Sequence, residues 1–522
     1  MKTIQKIILH NFKRFRHIEI PCNDTLNIFI GDNEAGKSSI LQAIDIVSRG
    51  SLRRVDEIGL NRLINADAIK EFARGGKDYN SLPIMYVELY LVETTDRHLN
   101  GKINSEQRVC DGIRMICKRD DNYGAIIRNA LSSTEFVFPF EFYRVDFETF
   151  SGETYNGHTR KHGTLAIDNF NIANPYAASE YARTLYYAQT TNEQRLQFKH
   201  IYHQAKEKFA EDILREFHPS GDEASAFSIK DNSTDNLETA ISLQYNGVPI
   251  ENKGTGQLCF IKTELALRNV SESVDAILLE EPENHLSYGK MLQLIRQIQE
   301  TTNKQLFIST HSDMIATRLD LRKCTMLSHE SQQPVQLKDI SEDTAKFFMK
   351  APDNNMLQFV LSKKAILVEG DAEYIMMDRF FQSIYGQSLE QNGIAVIAVD
   401  GRCFKRYLEI AKILGIRTAV ITDNDHNYQI NVIQTYEDYM YDQYPNISLF
   451  SESNNDLYTF EASMYSVNKA VCDKLFSGTL RSLTVLEYML ANKSEVAYRL
   501  LNTDEPIIVP QYIYNAIRWL MS

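Results

Sequence analysis

Gly31-Asp32-Asn33-Glu34-Ala35-Gly36-Lys37-Ser38 follows the apolar run Leu26 to Ile30 and opens the periodic segment Lys37 to Ser48. A glycine-rich turn between a strand and a helix lets backbone N–H groups close around phosphate at the helix N-terminus. The Lys37 ammonium then reaches the outer phosphates, and the Ser38 hydroxyl is placed to ligate Mg²⁺. This P-loop pattern predicts a nucleotide-binding α/β domain with Gly31, Asn33, Gly36, Lys37, Ser38 and Ser39 around the phosphates. Upstream, Ile7 to Leu9 and His17 to Ile20 add short apolar runs, so the first 48 residues read as a small sheet feeding a helix.

A matching second half comes far along the chain. Ile277-Leu278-Leu279 runs into Glu280-Glu281-Pro282-Glu283-Asn284-His285-Leu286, and Gln305 to Ile308 runs into Ser309-Thr310-His311-Ser312. Short apolar runs of this kind predict buried parallel strands. An acidic pair at a strand end suits metal positioning by the first carboxylate and water activation by the second.

The C-terminal third repeats the βα alternation. Ala365 to Val368, Ile394 to Val399 and Thr418 to Thr422 are β-branched runs, with helical segments at Ala372 to Ile384 and Phe404 to Leu414 between them. The strand ends carry Glu369, Asp400, and the pair Asp423 and Asp425, with Glu373 one turn beyond Glu369. Carboxylates gathered at one sheet edge repel unless they are protonated or bridged by a cation, so the series predicts one or two Mg²⁺ or Mn²⁺ ions. Two such ions would activate an attacking water and stabilise the leaving oxygen of a phosphodiester displacement.

At 522 residues the chain predicts two or three domains, and 43% hydrophobic with 24% charged residues is a globular composition. A net charge of −13 excludes a general coating of nucleic acid while leaving room for a local basic groove. No run approaches the ~20 apolar residues of a membrane span and no leader is evident, so a cytoplasmic protein without membrane contact is expected. The seven cysteines lack zinc-site spacing. Phe198, Tyr202, Ala205, Phe209, Ile213 and Phe217 recur at helical spacing between about 178 and 217; a core-facing helix is the favoured reading and a dimerisation arm the alternative. His218 to Asn236 reads as a surface loop. The expected division is an ATPase domain over 1–345, a linker over 346–362 and a metal-binding domain over 363–522.

The P-loop, the Glu280 to Leu286 motif and the Phe307 to Ser312 motif together resemble the ABC ATPases of the RecF, SMC and OLD (overcoming lysogenization defect) group. The resemblance implies that Glu280 holds Mg²⁺, that Glu281 is the catalytic glutamate and that His311 is the switch histidine sensing the γ-phosphate. Gly254-Thr255-Gly256-Gln257 is its candidate signature loop, with Gly254 and Gly256 approaching a neighbouring subunit's nucleotide. Leu258 departs from the usual pattern there. Completion in trans implies a homodimer or higher homo-oligomer.

The C-terminal series resembles the Toprim domain of topoisomerases, primases and OLD nucleases. That implies Glu369, Asp423 and Asp425 as core metal ligands, Glu373 and Asp400 as helpers, and Glu461, in Thr459-Phe460-Glu461, as a further acidic ligand. Lys493 resembles the lysine of the OLD C-terminal helix, placed to stabilise the charge of the transition state. An ABC ATPase followed by Toprim is the OLD arrangement, and it implies an ATP-regulated, divalent-metal-dependent DNA endonuclease. Its cofactors would be ATP and Mg²⁺ or Mn²⁺ at both sites. The family's setting is anti-phage defence of the Gabija or retron-associated type, where a defence-system protein, a retron reverse transcriptase or its msDNA are candidate partners. The alternative is a DNA-binding ATPase whose Toprim domain is a non-cleaving sensor or assembly platform. The lack of a zinc motif speaks against a primase, and no accessory domain marks a topoisomerase.

Overall fold

The computed structural model describes residues 2–522 except 134–135, 158, 169–181, 184, 188, 215–228, 230–236, 269–273, 302, 329–332, 351–354, 400–402, 440–442 and 480–482. The chain forms two compact units, one comprising 1–311 with 325–334 and the other 312–324 with 335–522.

In the first unit, Ile4–Phe12 lies between Phe15–Pro21 and Met85–Leu91, and Cys110–Arg119 extends the antiparallel sheet to Tyr143–Thr149. Phe15–Pro21 alternates buried and accessible residues, as an edge strand with one solvated face should. A second sheet is parallel, in the order Leu26–Gly31, Gln305–Ser309, Ala276–Glu280, Thr164–Asp168. Every residue of Gln305–Ser309 is buried, which is why that strand reads as a continuous apolar run. The helix Lys37–Arg49 packs in the core shared by the two sheets. Ile40, Leu41, Ile44 and Val47 belong to one cluster with Leu9, Val87 and Leu89 of the first sheet and Leu278 and Phe307 of the second. Gly50, with φ 58°, ends the helix by donating its N–H to Ile46.

The helical stretch after residue 178 differs from its core-facing expectation. Asn192–Asp212 is a helix opened by a capping box of Thr191 and Gln194, yet none of its residues is buried. Phe198 is 41% exposed, Ile201 59% and Phe209 52%, so the apolar stripe faces outward among the described residues. Ala178, Phe217 and nearly all of the expected loop 218–236 lie outside the described residues.

The second unit is built on a four-stranded parallel sheet in the order Ile394–Ala398, Lys364–Val368, Arg417–Ile421, Ile447–Phe450. The helices Asp371–Tyr385, Lys493–Leu501 and Gln511–Met521 cover it with one apolar cluster that includes Val368, Met376, Ala419, Ala497 and Ile517. Two guanidinium groups fasten distant parts of the chain. Arg379 donates to the carbonyls of Leu500, Leu501, Thr503 and Glu505 at 2.5–3.0 Å, and Arg417 donates to the Trp519 carbonyl at 2.6 Å and to Ser522 Oγ at 2.9 Å. Where a linker was expected over 346–362, the helices Glu342–Lys350 and Met356–Leu361 bury Phe348, Met356, Phe359 and Val360. The described residues of that stretch are packed as helices, and no composition shift marks it. Among the described residues no helix is long and apolar enough to cross a membrane.

Candidate functional site

Each unit brings one constellation of polar residues together. In the first, the loop from Gly31 to Lys37 needs glycine at two places for different reasons. A Cβ on Gly31 would lie 2.2 Å from the Leu327 carbonyl oxygen. Gly36 has φ 99°, a backbone that L side chains rarely adopt, and its Cβ would meet the Phe15 ring at 2.3 Å. The Lys37 side chain is buried and folded back onto the loop, its ammonium donating to the carbonyls of Gly31 at 2.8 Å and Asp32 at 3.0 Å. Burial pulls its pKa down against Glu281, Asp32, Glu283 and Glu280, all of which favour the charge.

The acidic motif meets this loop from the parallel sheet. Glu280 ends its strand in register with Ser309. Glu281 adopts φ 42°, its N–H donating to the Ser309 carbonyl at 2.9 Å, so the chain turns sharply at the sheet edge. One Glu281 oxygen accepts from the Asn284 amide at 2.9 Å and the other lies 3.4 Å from His311 Nε2. Burial and the Lys37 charge lower the His311 pKa, opposed by Glu281. Sequence reading missed Glu283. Its Oε1 accepts from Thr310 Oγ1 at 2.6 Å and from the His311 N–H at 2.8 Å, tying the two strand ends together. A cleft of about 670 Å³ is lined by Asn33, Gly36, Lys37, Ser38, Ser39, Glu281 and His311, and on its other wall by the cations Lys13, Arg14 and Arg62. It is a nucleotide-sized space with carboxylates at one end and positive charge around it.

Gly254 and Gly256 differ in surroundings. Gly254 has open space where a side chain would be, whereas a Cβ on Gly256 would lie 2.1 Å from the His285 carbonyl oxygen. Gly256 at the start of the helix Thr255–Arg268 is therefore required within its own unit, by contact with the acidic loop.

In the second unit, the strand Lys364–Val368 delivers Glu369, the helix Asp371–Tyr385 delivers Glu373 one turn later, and Arg417–Ile421 delivers Asp423. Carboxylate oxygens of these three all lie within 4.8 Å of one another. The Asp423 N–H also donates to Glu369 Oε2 at 3.2 Å. Burial raises all three carboxyl pKa values, with added repulsion from Glu461 and Glu369 at Glu373, from Glu369, Glu373 and Glu461 at Asp423, and from Asp425 at Glu369: Glu373 rises to about 7 and Asp423 to about 9, with Glu369 also raised. Glu461, 2% exposed, lies 3.1 Å from Lys493 Nζ. Burial lowers the Lys493 pKa, but Glu461, Asp423 and Glu373 outweigh it and leave it raised. One buried and two half-buried carboxylates converging on one point, with the Lys493 ammonium beside them, are a donor set that fits a hard divalent ion.

Glu373, expected as a helper, is thus inside the triad, while Asp425, expected as a core ligand, is exposed and outside it. Asp400 lies outside the described residues. Asn424, between the two aspartates, is buried, and its amide donates to the carbonyls of Glu452 and Asn454 at 2.7 and 3.0 Å. No residue spacing signals that role.

Comparison with known proteins finds matches to segments that contain part of each constellation. The family model described as "Overcoming lysogenization defect protein-like, TOPRIM domain" matches residues 360–425, "AAA ATPase domain" matches 1–80, and a further AAA-domain model matches 154–316. Among curated proteins, "Endonuclease GajA" of Bacillus cereus (strain VD045) is 26% identical over 163 residues, 31% of this chain and 28% of that one. "Old nuclease" of Escherichia phage P2 is 24% identical over 161 residues, 28% of this chain and 27% of that one. The matches therefore span little more than a quarter of either relative. Among solved structures, the C-terminal region of the Xanthomonas campestris pv. campestris OLD protein is 20% identical, covering 31% of this chain and 94% of that one at a TM-score of 0.26.

Proposed function

We propose that this chain, an ATPase–Toprim protein of the OLD family, is a divalent-metal-dependent DNA endonuclease whose cutting is set by ATP. The observation that carries the reading is the convergence of Glu369, Glu373 and Asp423 within 4.8 Å, next to the Glu461–Lys493 pair. Such a donor set fits a hard divalent cation. A divalent ion bound there, Mg²⁺ in our reading, supplies Lewis-acid charge at a scissile phosphate. Lys493, half exposed beside the carboxylates, meets the additional negative charge of the phosphoryl transition state. Asp425, exposed two residues beyond Asp423, acts electrostatically on Glu369 and is in our reading a further ligand.

In the first unit, backbone amides from Gly31 to Lys37 and the Lys37 ammonium bind the phosphates of ATP, Ser38 and Glu280 hold its Mg²⁺, and Glu281 accepts the proton of the attacking water. His311, 3.4 Å from Glu281, reports whether the outer phosphate is present. Gly254 and the outward apolar face of Asn192–Asp212 support assembly into at least a homodimer. The names of the two curated relatives, an endonuclease and a nuclease, support the cutting activity; a setting in anti-phage defence follows from the family resemblance of the motifs.

Plasmid cleavage by the full chain with Mg²⁺ or Mn²⁺ tests the reading. Wild type should nick or linearise DNA, and Asp423→Ala should not. A wild-type protein that binds DNA and ATP but cuts under neither metal would instead be an ATPase with a non-cleaving Toprim domain.

A further inference from the structure

The loop that follows Asp423 is held in an unusual shape. Asp425 and His426 have φ of 45° and 67°, two consecutive left-handed residues with neither a glycine. Such positions are sparsely populated and persist only where surrounding contacts over-determine them. Here the Asp425 N–H donates to the Tyr458 carbonyl at 3.2 Å and the His426 N–H to Asn424 Oδ1 at 3.0 Å. The Asn431 amide donates to the carbonyls of Asn424 and Asp425 at 2.9 and 3.3 Å, and the Tyr428 N–H donates to Asn455 Oδ1 at 2.9 Å.

What this scaffold presents is a ring. The His426 imidazole lies flat on the Tyr458 ring, with centroids 3.6 Å apart and planes 26° from parallel. His426 is exposed, so the stack seals no core. Both residues are tethered to the carboxylate site. His426 follows Asp423 by three residues, a reach of at most ~11 Å, and Tyr458 precedes Glu461 by the same interval.

We propose that the outer face of His426, backed by Tyr458, is a stacking platform for one unpaired nucleobase flanking the phosphodiester that is cut. An aromatic face accepts any base, but only one that has left its duplex stack, so the platform selects single-stranded, flap or distorted DNA over intact duplex. The rigid loop fixes the distance from the stacked base to the carboxylates and so fixes which phosphate is attacked. This inference rests on the nuclease reading above.

The test uses the full chain, Ca²⁺ to permit binding, and single-stranded oligonucleotides in which 2-aminopurine replaces one base at a time around the cleavage position. Wild type should quench fluorescence at one flanking position. His426→Asn keeps a residue that tolerates the left-handed backbone while removing the ring, and should lose that quench. His426→Phe should restore it. With Mg²⁺, His426→Asn should raise KM for single-stranded and flap substrates about tenfold and spread cleavage over neighbouring phosphates. A folded His426→Asn protein with unchanged quench and unchanged KM overturns the platform while leaving the nuclease intact. A wild type that quenches nowhere and cuts nothing overturns both.

Discussion

Lys493 Nζ lies 3.1 Å from Glu461 Oε2, and the two come from different helices, Lys493 from the first residue of Lys493–Leu501 and Glu461 from the first turn of Phe460–Val467. The carboxylate is 2% exposed, so without this ammonium it would stand uncompensated near Glu373 and Asp423, whose pKa values it raises. Lys493→Ala should therefore lower DNA cleavage about 10²–10³-fold. Lys493→Arg should retain part of the rate. Steady-state cleavage of a labelled oligonucleotide checks it, and an alanine variant within twofold of wild type removes Lys493 from the mechanism.

The raised carboxyl pKa values give the second prediction its sign. Between the unfolded value near 4 and the folded values of about 7 for Glu373 and about 9 for Asp423, the folded state holds more protons than the unfolded one, so stability falls as pH rises through that window. A divalent ion relieves the same repulsion and competes with those protons. Thermal unfolding in chelator should show a contribution to the midpoint that declines from about pH 4 to about pH 9, and the gain on adding Mg²⁺ should grow over the same range. A metal-induced shift independent of pH would mean the ion binds elsewhere.

The two constellations should fail separately. Asp423→Ala should abolish cleavage and leave ATP hydrolysis unchanged, because its carboxylate belongs to the triad of the second unit. Glu281→Gln should slow hydrolysis about 10²–10⁴-fold while ATP still binds, and cleavage should then differ with and without ATP. Identical cutting in both conditions would show that the two activities share a chain and no coupling.

Gly256→Ala separates packing from nucleotide binding. The added methyl would press on the His285 carbonyl from 2.1 Å, so it should destabilise the protein by about 1–3 kcal/mol even without nucleotide. Gly254→Ala, which meets nothing within 4 Å, should leave stability unchanged and lower ATP hydrolysis only at concentrations where the chain self-associates. Chemical denaturation of both variants distinguishes these outcomes.

The strongest readings from sequence were those in which a motif is continuous in the chain. The P-loop lies between a strand and a helix as expected, and the strands before Glu280, Glu369 and Asp423 fall within a residue or two of their apolar runs. Continuous apolar runs identify buried parallel strands because no alternation survives when both faces are covered. What sequence left hidden depends on closure in three dimensions. Glu283 matters because two strand ends meet, and Glu373 rather than Asp425 completes the triad because one helical turn brings it back over Glu369. The stripe of Asn192–Asp212 illustrates the converse: helical periodicity predicts an apolar face but not whether anything within its own unit covers it. The antiparallel strands between Met85 and Thr149 pair across long separations, and their register has no local signal.

The fastening of Arg417 to Trp519 and Ser522 also sets a schedule for biosynthesis. Every member of the carboxylate triad has been translated by residue 423, well ahead of Gln511–Met521, which packs in the same apolar cluster as the sheet that carries them. At ~5–20 residues per second the ribosome needs ~5–20 s to cover that interval. During those seconds the nascent chain carries the three carboxylates without the C-terminal helix that packs against their sheet.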